Sequence, residues 1–297
     1  IVNDDGPPST QSSPYVHSLV QTLHEAGHVV SVVLPSMQRS WIGKAHMIGQ
    51  TVKPTYYRPG TLYKNNGTTH SRPAEVGSNV KEEWILVDGT PASCVQIGLY
   101  HYFHERGPVD LVVSGPNYGR NSTAAFSLSS GTLGGALEAA ICQRRAIALS
   151  FAFFSRDHET QIITEASKLS LRLIEYLYKN WDDNVDLYSI NVPLVENIGQ
   201  RKILWTNILQ NYWGHGSCFE EKEVEEEIEK DDANMQEQKI RQTEIIGGQA
   251  EIATDGCRVA RYKHKHFKWA PSIQDIHRSV EKAPPGNDGW AVQNGYT

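Results

Sequence analysis

Chemistry enters this sequence at residues 3–6, Asn-Asp-Asp-Gly, where two carboxylates stand side by side between a hydrophobic pair and Pro7-Pro8. Carboxylates about 4 Å apart repel by about 1 kcal/mol in water and about 4 kcal/mol at an effective dielectric of 20. A fold that gathers Asp4 and Asp5 on one side therefore needs a cation between them or a raised pKa on one. If they only flank a turn and point apart, it needs neither. Two further loops, Ser36–Ser40 and Ser114–Asn121, add hydroxyls and neutral amides. The three loops contain no Cys or His, so their hard oxygen donors suit Mg²⁺, Mn²⁺ or Ca²⁺ rather than zinc or copper. Neutral donors beside two aspartates leave a bound dication net positive charge with which to attract phosphate. A fourth segment, Ser130-Gly131-Thr132, opens a small-residue helix. Its N–H groups and dipole favour an anion, although an ordinary N-cap reads the same way. No Lys precedes the Ser/Thr, so it is not a P-loop.

The elements that must position these loops follow from periodicity. Ile1-Val2 reads as a strand. Val16, Leu19, Val20 and Leu23 recur at helical spacing up to Gly27, and "HVVSVVLP" is a β-branched strand ending at Pro35. Strand, helix, strand is a βαβ unit and implies a parallel sheet, with sites gathered at the carboxyl ends of its strands. "WILVDGTPASCVQIGLYHYF" predicts a strand, a turn and a helix. "VDLVVSGPNYGRN" predicts a buried strand and an asparagine-rich loop, and "SLSSGTLGGALEAAICQRRAIALSF" a loop, a helix and a strand. An amphipathic helix over 160–180 and the strand "DLYSINVPL" follow, while residues 50–80 read as an excursion of short strands. The fold class expected is α/β, a three-layer Rossmann-like arrangement on a mostly parallel sheet, with residues 1–194 as its core and 195–297 as a C-terminal extension of one domain. Within the extension, the acidic run 219–237 reads as a solvated helix or a disordered insertion.

The 297 residues, 39% hydrophobic, are ample for a large core, and a net charge of −6 argues against a general nucleic-acid binder. Cys94, Cys142, Cys218 and Cys257 show no paired spacing and read as reduced thiols. No apolar run reaches the 18 residues of a membrane span. The N-x-S/T sequences at Asn66 and Asn121 read as chance matches. The start at Ile1 and the end at "GWAVQNGYT", both read as strands, suggest a piece of a longer protein whose targeting signals lie outside it.

"NDDG", "RS" followed by an aromatic residue, "GTPASCV", "VVSGPNYGRN" and "SGTLGGALEA" occur in this order, each at a strand end. This succession resembles the SurE family of metal-dependent nucleotidases and phosphatases. The resemblance spans Ile1 to about Phe151 and resumes at "INVP" and "DGWAVQNGYT". It implies a divalent metal, Mg²⁺ or Mn²⁺, held by Asp4, Asp5, Ser40 and Asn117. It places phosphate contacts at Asn121, Ser130, Gly131 and Thr132, and gives Asn3 the orienting of the aspartates or of the substrate. Family members remove phosphate from nucleoside 5′- or 3′-monophosphates or other phosphomonoesters and form dimers or tetramers through the C-terminal part. A cytoplasmic homodimer acting on a nucleotide or phosphomonoester, with protein partners at its C-terminal region and no membrane association, is the corresponding expectation. The longer loop after "NDDG", the expanded region 40–85 and the acidic run resemble fungal members, some of which carry a tubulin-tyrosine-ligase-like domain after this one.

The mechanism expected is metal-assisted hydrolysis with Asp4, Asp5 and Asn117 as catalytic groups, Asp4 serving as nucleophile or general base. The competing reading is a catalytically silent module that binds a nucleotide or a protein. A haloacid-dehalogenase-type phosphatase would require D-x-D, whereas Asp4 and Asp5 are adjacent. His101 and His104 read as surface histidines and "YKHKHFKW" (262–269) as a solvated strand. Trp41 either stacks on a base or packs under the site loop. Trp205, Tyr212 and Trp213 read as an oligomer contact.

Overall fold

The computed structural model describes residues 1–155, 159–214, 216–222 and 265–297. The sheet is centred on the first two residues. The Val33 amide donates to Ile1 O, the Val2 amide to Val113 O and the Gly115 amide to Val2 O, at 3.0, 3.0 and 2.7 Å. Ile1-Val2 thereby joins β1 (Val33–Pro35) to β5 (Val112–Tyr118). From β5 the sheet continues in parallel through β6 (Ala146–Ala152) to β7 (Leu187–Pro193). On the other side β1 pairs in parallel with β4 (Trp84–Val87), and β2 (Pro54–Arg58) and β3 (Thr68–His70) add antiparallel pairs at the edge. Residues 54–70 are thus the short-strand excursion that their composition predicts.

Two helical layers cover the sheet. On one face lie α1 (Val16–Glu25) and α5 (Thr160–Lys179), whose Leu19, Leu23, Ile163, Leu169 and Leu173 pack on Ile147 and Leu149. On the other lie α2 (Pro91–His101) and α4 (Gly131–Ile141), packed over Val2, Ile85, Val112 and Ala148. Strands covered on both faces bury every side chain, which is why β5 and β6 are buried along their whole length. Thr90 caps α2 through its hydroxyl, with Pro91 at the first helical position. The architecture is the three-layer α/β/α arrangement on a mostly parallel sheet. No helix among the described residues is long and apolar enough to cross a membrane.

Three expectations need correction. "DGWAVQNGYT" is not a strand: Asp288–Gln293 forms a helix, α7, because the Asn287 side chain accepts from the Trp290 amide and starts the turn. Residues 219–222 are neither helical nor structureless. They form β8 (Phe219–Lys222), antiparallel to β9 (His266–Trp269); the rest of the acidic run lies outside the described residues, as do 262–264 of "YKHKHFKW". β5 also runs on through Tyr118, so half of the asparagine-rich loop is strand. Its register against β6 shifts between Ser114 and Asn117. Gly115, at φ +131°, sits in that shift; a Cβ there would fall 2.1 Å from Leu149 O. A further helix, α6 (Ile273–Glu281), precedes α7, and a short one, α3 (Ala124–Ser129), precedes α4. His101 and His104 are exposed.

Candidate active site

Because Ile1-Val2 lies between β1 and β5, the turn that follows it emerges between the loops that follow those two strands. Asn3 closes the turn locally. Its Oδ1 accepts from the Gly6 amide at 3.0 Å, and its Nδ2 donates to Gly6 O at 3.0 Å and to Ser13 Oγ at 3.3 Å. Asn3 thus braces the backbone of the turn that carries the two aspartates.

The two aspartates are 2% and 1% exposed and engage different elements. Asp4 Oδ1 accepts from Thr132 Oγ1 at 2.6 Å, near the start of α4. Asp5 Oδ2 accepts from the Tyr118 amide at 2.5 Å, at the end of β5. The Asp4 carbonyl takes the Arg39 amide at 2.6 Å, which draws the Ser36–Ser40 loop against the turn. Gly131 makes room for Asp4: a Cβ there would meet Asp4 Cβ at 2.8 Å and Oδ2 at 2.9 Å. A side chain at 131 would fill the space in which the carboxylate lies.

A cleft of about 40 Å³ opens here, lined by Asp4, Ser40, Trp41, Asn117, Arg120 and Asn121 together with Phe126 and Ser130. It has room for roughly three waters or a single phosphate group. Each polar group on it is aimed by a neighbour. Asn117 Nδ2 donates to Gly119 O at 2.8 Å, which assigns the amide and leaves Oδ1 as its acceptor face. Ser40 Oγ accepts from Gln38 Nε2 at 3.0 Å. Asn121 donates through Nδ2 to Ser150 Oγ at 2.9 Å. Ser130 is the N-cap of α4, its Oγ accepting from the Leu133 amide at 3.1 Å. Of the residues that sequence reasoning singles out, Asp4, Ser40, Asn117, Asn121 and Ser130 line the cleft. Asn3, Asp5, Gly131 and Thr132 stand behind it, touching those that do or the backbone that carries them.

Three participants escape the sequence reading. Arg120, between the two asparagines of "NYGRN", is a cationic side chain on the cleft; it donates to Phe153 O at 3.3 Å and lies 5.1 Å over the Phe154 ring. Asn191 of β7 accepts from the Asn121 amide at 2.8 Å; its place in "INVP" at a strand's carboxyl end was the available signal. Asp288 of α7 accepts from the Thr123, Leu209 and Gly289 amides at 2.7, 2.8 and 2.7 Å, which fastens the C-terminal helix to the residue two beyond Asn121. Burial pushes the Asp288 carboxyl above the ordinary range against the pull of these bonds.

Behind the cleft, Glu138 of α4 ties the loop after Ser40 to the helical layer. Its carboxylate meets Lys44 Nζ at 2.7 Å and His46 Nε2 at 3.4 Å, and accepts from Gln96 Nε2 at 2.6 Å. Burial raises its pKa, but the Gln96 and Lys44 hydrogen bonds and the Lys44 and His46 charges outweigh that and leave it below the usual Glu value. Burial pushes the Cys94 thiol far up, which leaves it inert.

A cluster of Phe126, Ile273 and Ile276 with Trp41, Trp213 and Trp269 stands beside the cleft. Trp41 is held from three sides, with ring centroids 5.5 Å from Phe126, 6.3 Å from Trp213 and 4.7 Å from Trp269. Trp41 and Trp213 therefore belong to one wall, whereas Trp205 and Tyr212 are exposed.

The oxygen donors fit a hard dication. Two carboxylates, a hydroxyl and an amide oxygen come from three segments at the carboxyl end of the sheet, and among the described residues no group of three or more His, Cys, Asp or Glu competes as a metal site.

Comparison with known proteins matches residues 1–215 to the family model described as Survival protein SurE. The chain is similar to a protein of Saccharomyces cerevisiae named "Probable tubulin--tyrosine ligase PBY1", at 40% identity over 235 residues, covering 72% of this chain and 31% of that protein. It is similar to the 5'-nucleotidase SurE of Ruegeria pomeroyi at 33% identity and that of Archaeoglobus fulgidus at 32%, each over 203 residues, 66% of this chain and 67% of the relative. Among solved structures, the SurE protein of Aquifex aeolicus superposes with a TM-score of 0.58 at 24% identity, covering 99% of this chain and 88% of that one. The chain thus spans under a third of the yeast relative and about two thirds of the bacterial and archaeal ones.

Proposed function

The chain belongs to the survival protein SurE family, and from that premise we propose that it is a metal-dependent phosphatase that hydrolyses nucleoside 5′- or 3′-monophosphates. The observation that carries the reading is the convergence of Asp4, Ser40, Asn117, Asn121 and Ser130 from four separate segments on one small cleft at the carboxyl end of the sheet, with Asp5 buried behind it. The relatives named 5'-nucleotidase support the substrate class.

Asp4, Asp5, Ser40 and Asn117 would hold Mg²⁺ or Mn²⁺, which would supply Lewis-acid polarisation of the phosphoryl group. The chain's own groups do the rest. Ser130 and the N–H groups of Gly131 and Thr132, at helix positions that lack a backbone acceptor, receive the phosphate oxygens together with Asn121. Arg120 adds positive charge at the same end of the cleft. Asp4, which accepts from the Thr132 hydroxyl, takes a proton from an attacking water in this reading. The cleft admits a phosphate and leaves the nucleoside at its mouth.

Phosphate release from a panel of nucleoside monophosphates and polyphosphate, with Mg²⁺, Mn²⁺ or chelator, tests the reading. Turnover that needs the ion and disappears in Asp5→Asn is expected; turnover indifferent to both would overturn it. The same reading extends to assembly. Residues 195–297 carry Trp205 and Tyr212, 79% and 80% exposed, and a homodimer through this part is expected from light scattering.

A further inference from the structure

We propose that Trp41 is a specificity-determining residue: its ring is the platform on which the base of the nucleotide stacks, and the C-terminal segments hold it there. This rests on the phosphatase reading and adds the part of the substrate that is recognised. The cleft is too small for more than the phosphate, at about 40 Å³, so the organic group must lie against whatever forms the mouth. Trp41 and Phe126 are the aromatic side chains lining the cleft besides Tyr118, which is buried in the core.

Trp41 follows the ligand candidate Ser40 directly, so a phosphate bound beside Ser40 brings its ester group next to the indole. Trp41 is only partly buried. It is also fixed. The Phe126 and Trp269 rings stand across it at interplanar angles of 71° and 68°, and Trp213 lies beside it at 37°. T-shaped contacts of this kind favour one ring orientation. Trp213 and Trp269 lie beyond residue 195, so the extension builds the wall even though the phosphate cradle belongs entirely to the first 150 residues. The backbone at Trp41 confirms that the placement is imposed. Its φ is +61°, a conformation that bulky side chains rarely adopt and that suits glycine. A sequence optimised only for the turn would have no reason to put the largest side chain here. A stacking surface needs size, rigidity and nearness to the phosphate, and Trp41 combines them. Base–aromatic stacking tolerates any base, so the preference is for nucleotides over other phosphomonoesters rather than for one base.

Adenosine 5′-monophosphate and ribose 5-phosphate isolate the base, since both present the same phosphate and sugar. With Mg²⁺ or Mn²⁺ present, the wild-type chain should favour the nucleotide in kcat/KM by roughly 5- to 150-fold, the range that stacking of one base supplies. In Trp41→Gly, which the left-handed backbone accommodates, that ratio should collapse to within about 3-fold. Trp41→Phe, which keeps a smaller ring, should retain an intermediate ratio and so rescue the effect. A wild-type ratio near one, or an unchanged ratio in Trp41→Gly, would overturn the proposal; so would equal losses on both substrates in Trp41→Gly, which would mark the ring as merely structural. If the wild type turns over neither substrate, the phosphatase reading fails. The ratio of dissociation constants for the same two ligands, wild type against Trp41→Gly, then decides Trp41 by itself.

Discussion

The two ends of the parallel sheet are closed in opposite ways. At the amino end, below Ile1 and Val33, lies a cavity of about 520 Å³ lined chiefly by apolar residues such as Val30, Val95, Leu99, Val109 and Val112. Polar groups near it are engaged with each other: His28 Nε2 meets Glu175 Oε1 at 3.1 Å, and Arg106 donates to Val30 O at 2.8 Å. At the carboxyl end the cleft is about 40 Å³, yet buried Asp4, Asn117, Asn121 and Ser130 all face it. Volume and chemistry are therefore found at different places. The larger cavity is walled mainly by apolar side chains. A small cleft with oriented polar groups reports something the fold spends hydrogen bonds to maintain, since a buried polar group without a partner is costly.

The strongest way to break this comparison is Asp4→Asn. Removing one carboxylate from the proposed ion site should lower kcat/KM on nucleoside monophosphates by on the order of 10³-fold, with the fold retained by circular dichroism; near-normal turnover would make the carboxyl end no more special than the other. Gly131→Ala should follow. Its methyl would stand 2.8 Å from Asp4 Cβ, and displacing a carboxylate by a fraction of an ångström to an ångström should reduce turnover by up to about 10²-fold while the melting temperature moves little. The complementary change is Leu23→Ala, at a buried residue lining the amino-end cavity. Chemical denaturation should show a loss of about 2–3 kcal/mol, and kcat/KM of the folded protein should stay within about twofold; a larger kinetic effect would show that the two ends are coupled. The smallest effect concerns Glu138. Its folded pKa lies below the ordinary value, so its contribution is present above the unfolded Glu pKa of about 4.3 and is lost as pH falls through the folded one. Stability in acid should decline in the wild type, and Glu138→Gln should flatten that decline while costing about 1 kcal/mol at neutral pH, measured as melting temperature against pH.

Much of this molecule is legible in local patterns. Val16, Leu19, Val20 and Leu23 do form one face of α1, and Val112–Tyr118 and Ala146–Ala152 are strands covered on both sides, whereas of "HVVSVVLP" only Val33–Pro35 is strand. Thr90 and Ser130 cap the helices that follow them. The misreadings have local causes too. "GWAVQNGYT" carries Trp, Val and Tyr, which favour strands, but the asparagine cap two residues before it outweighs that preference. "FEEK" looks like a charged helix because its strand partner, 266–269, lies more than 40 residues away.

The sequence alone determined most strands and helices of the first 194 residues and which residues follow those strands, because capping, turn chemistry and hydrophobic period all act within a few residues. Only the tertiary structure decided which of those strand ends share a cleft. It placed Asn3–Gly6 between the loops of β1 and β5, set Thr132 on Asp4 and the Tyr118 amide on Asp5, and brought Trp213 and Trp269 around Trp41. Those contacts depend on strand order and on long-range packing, and no window of neighbouring residues contains that information.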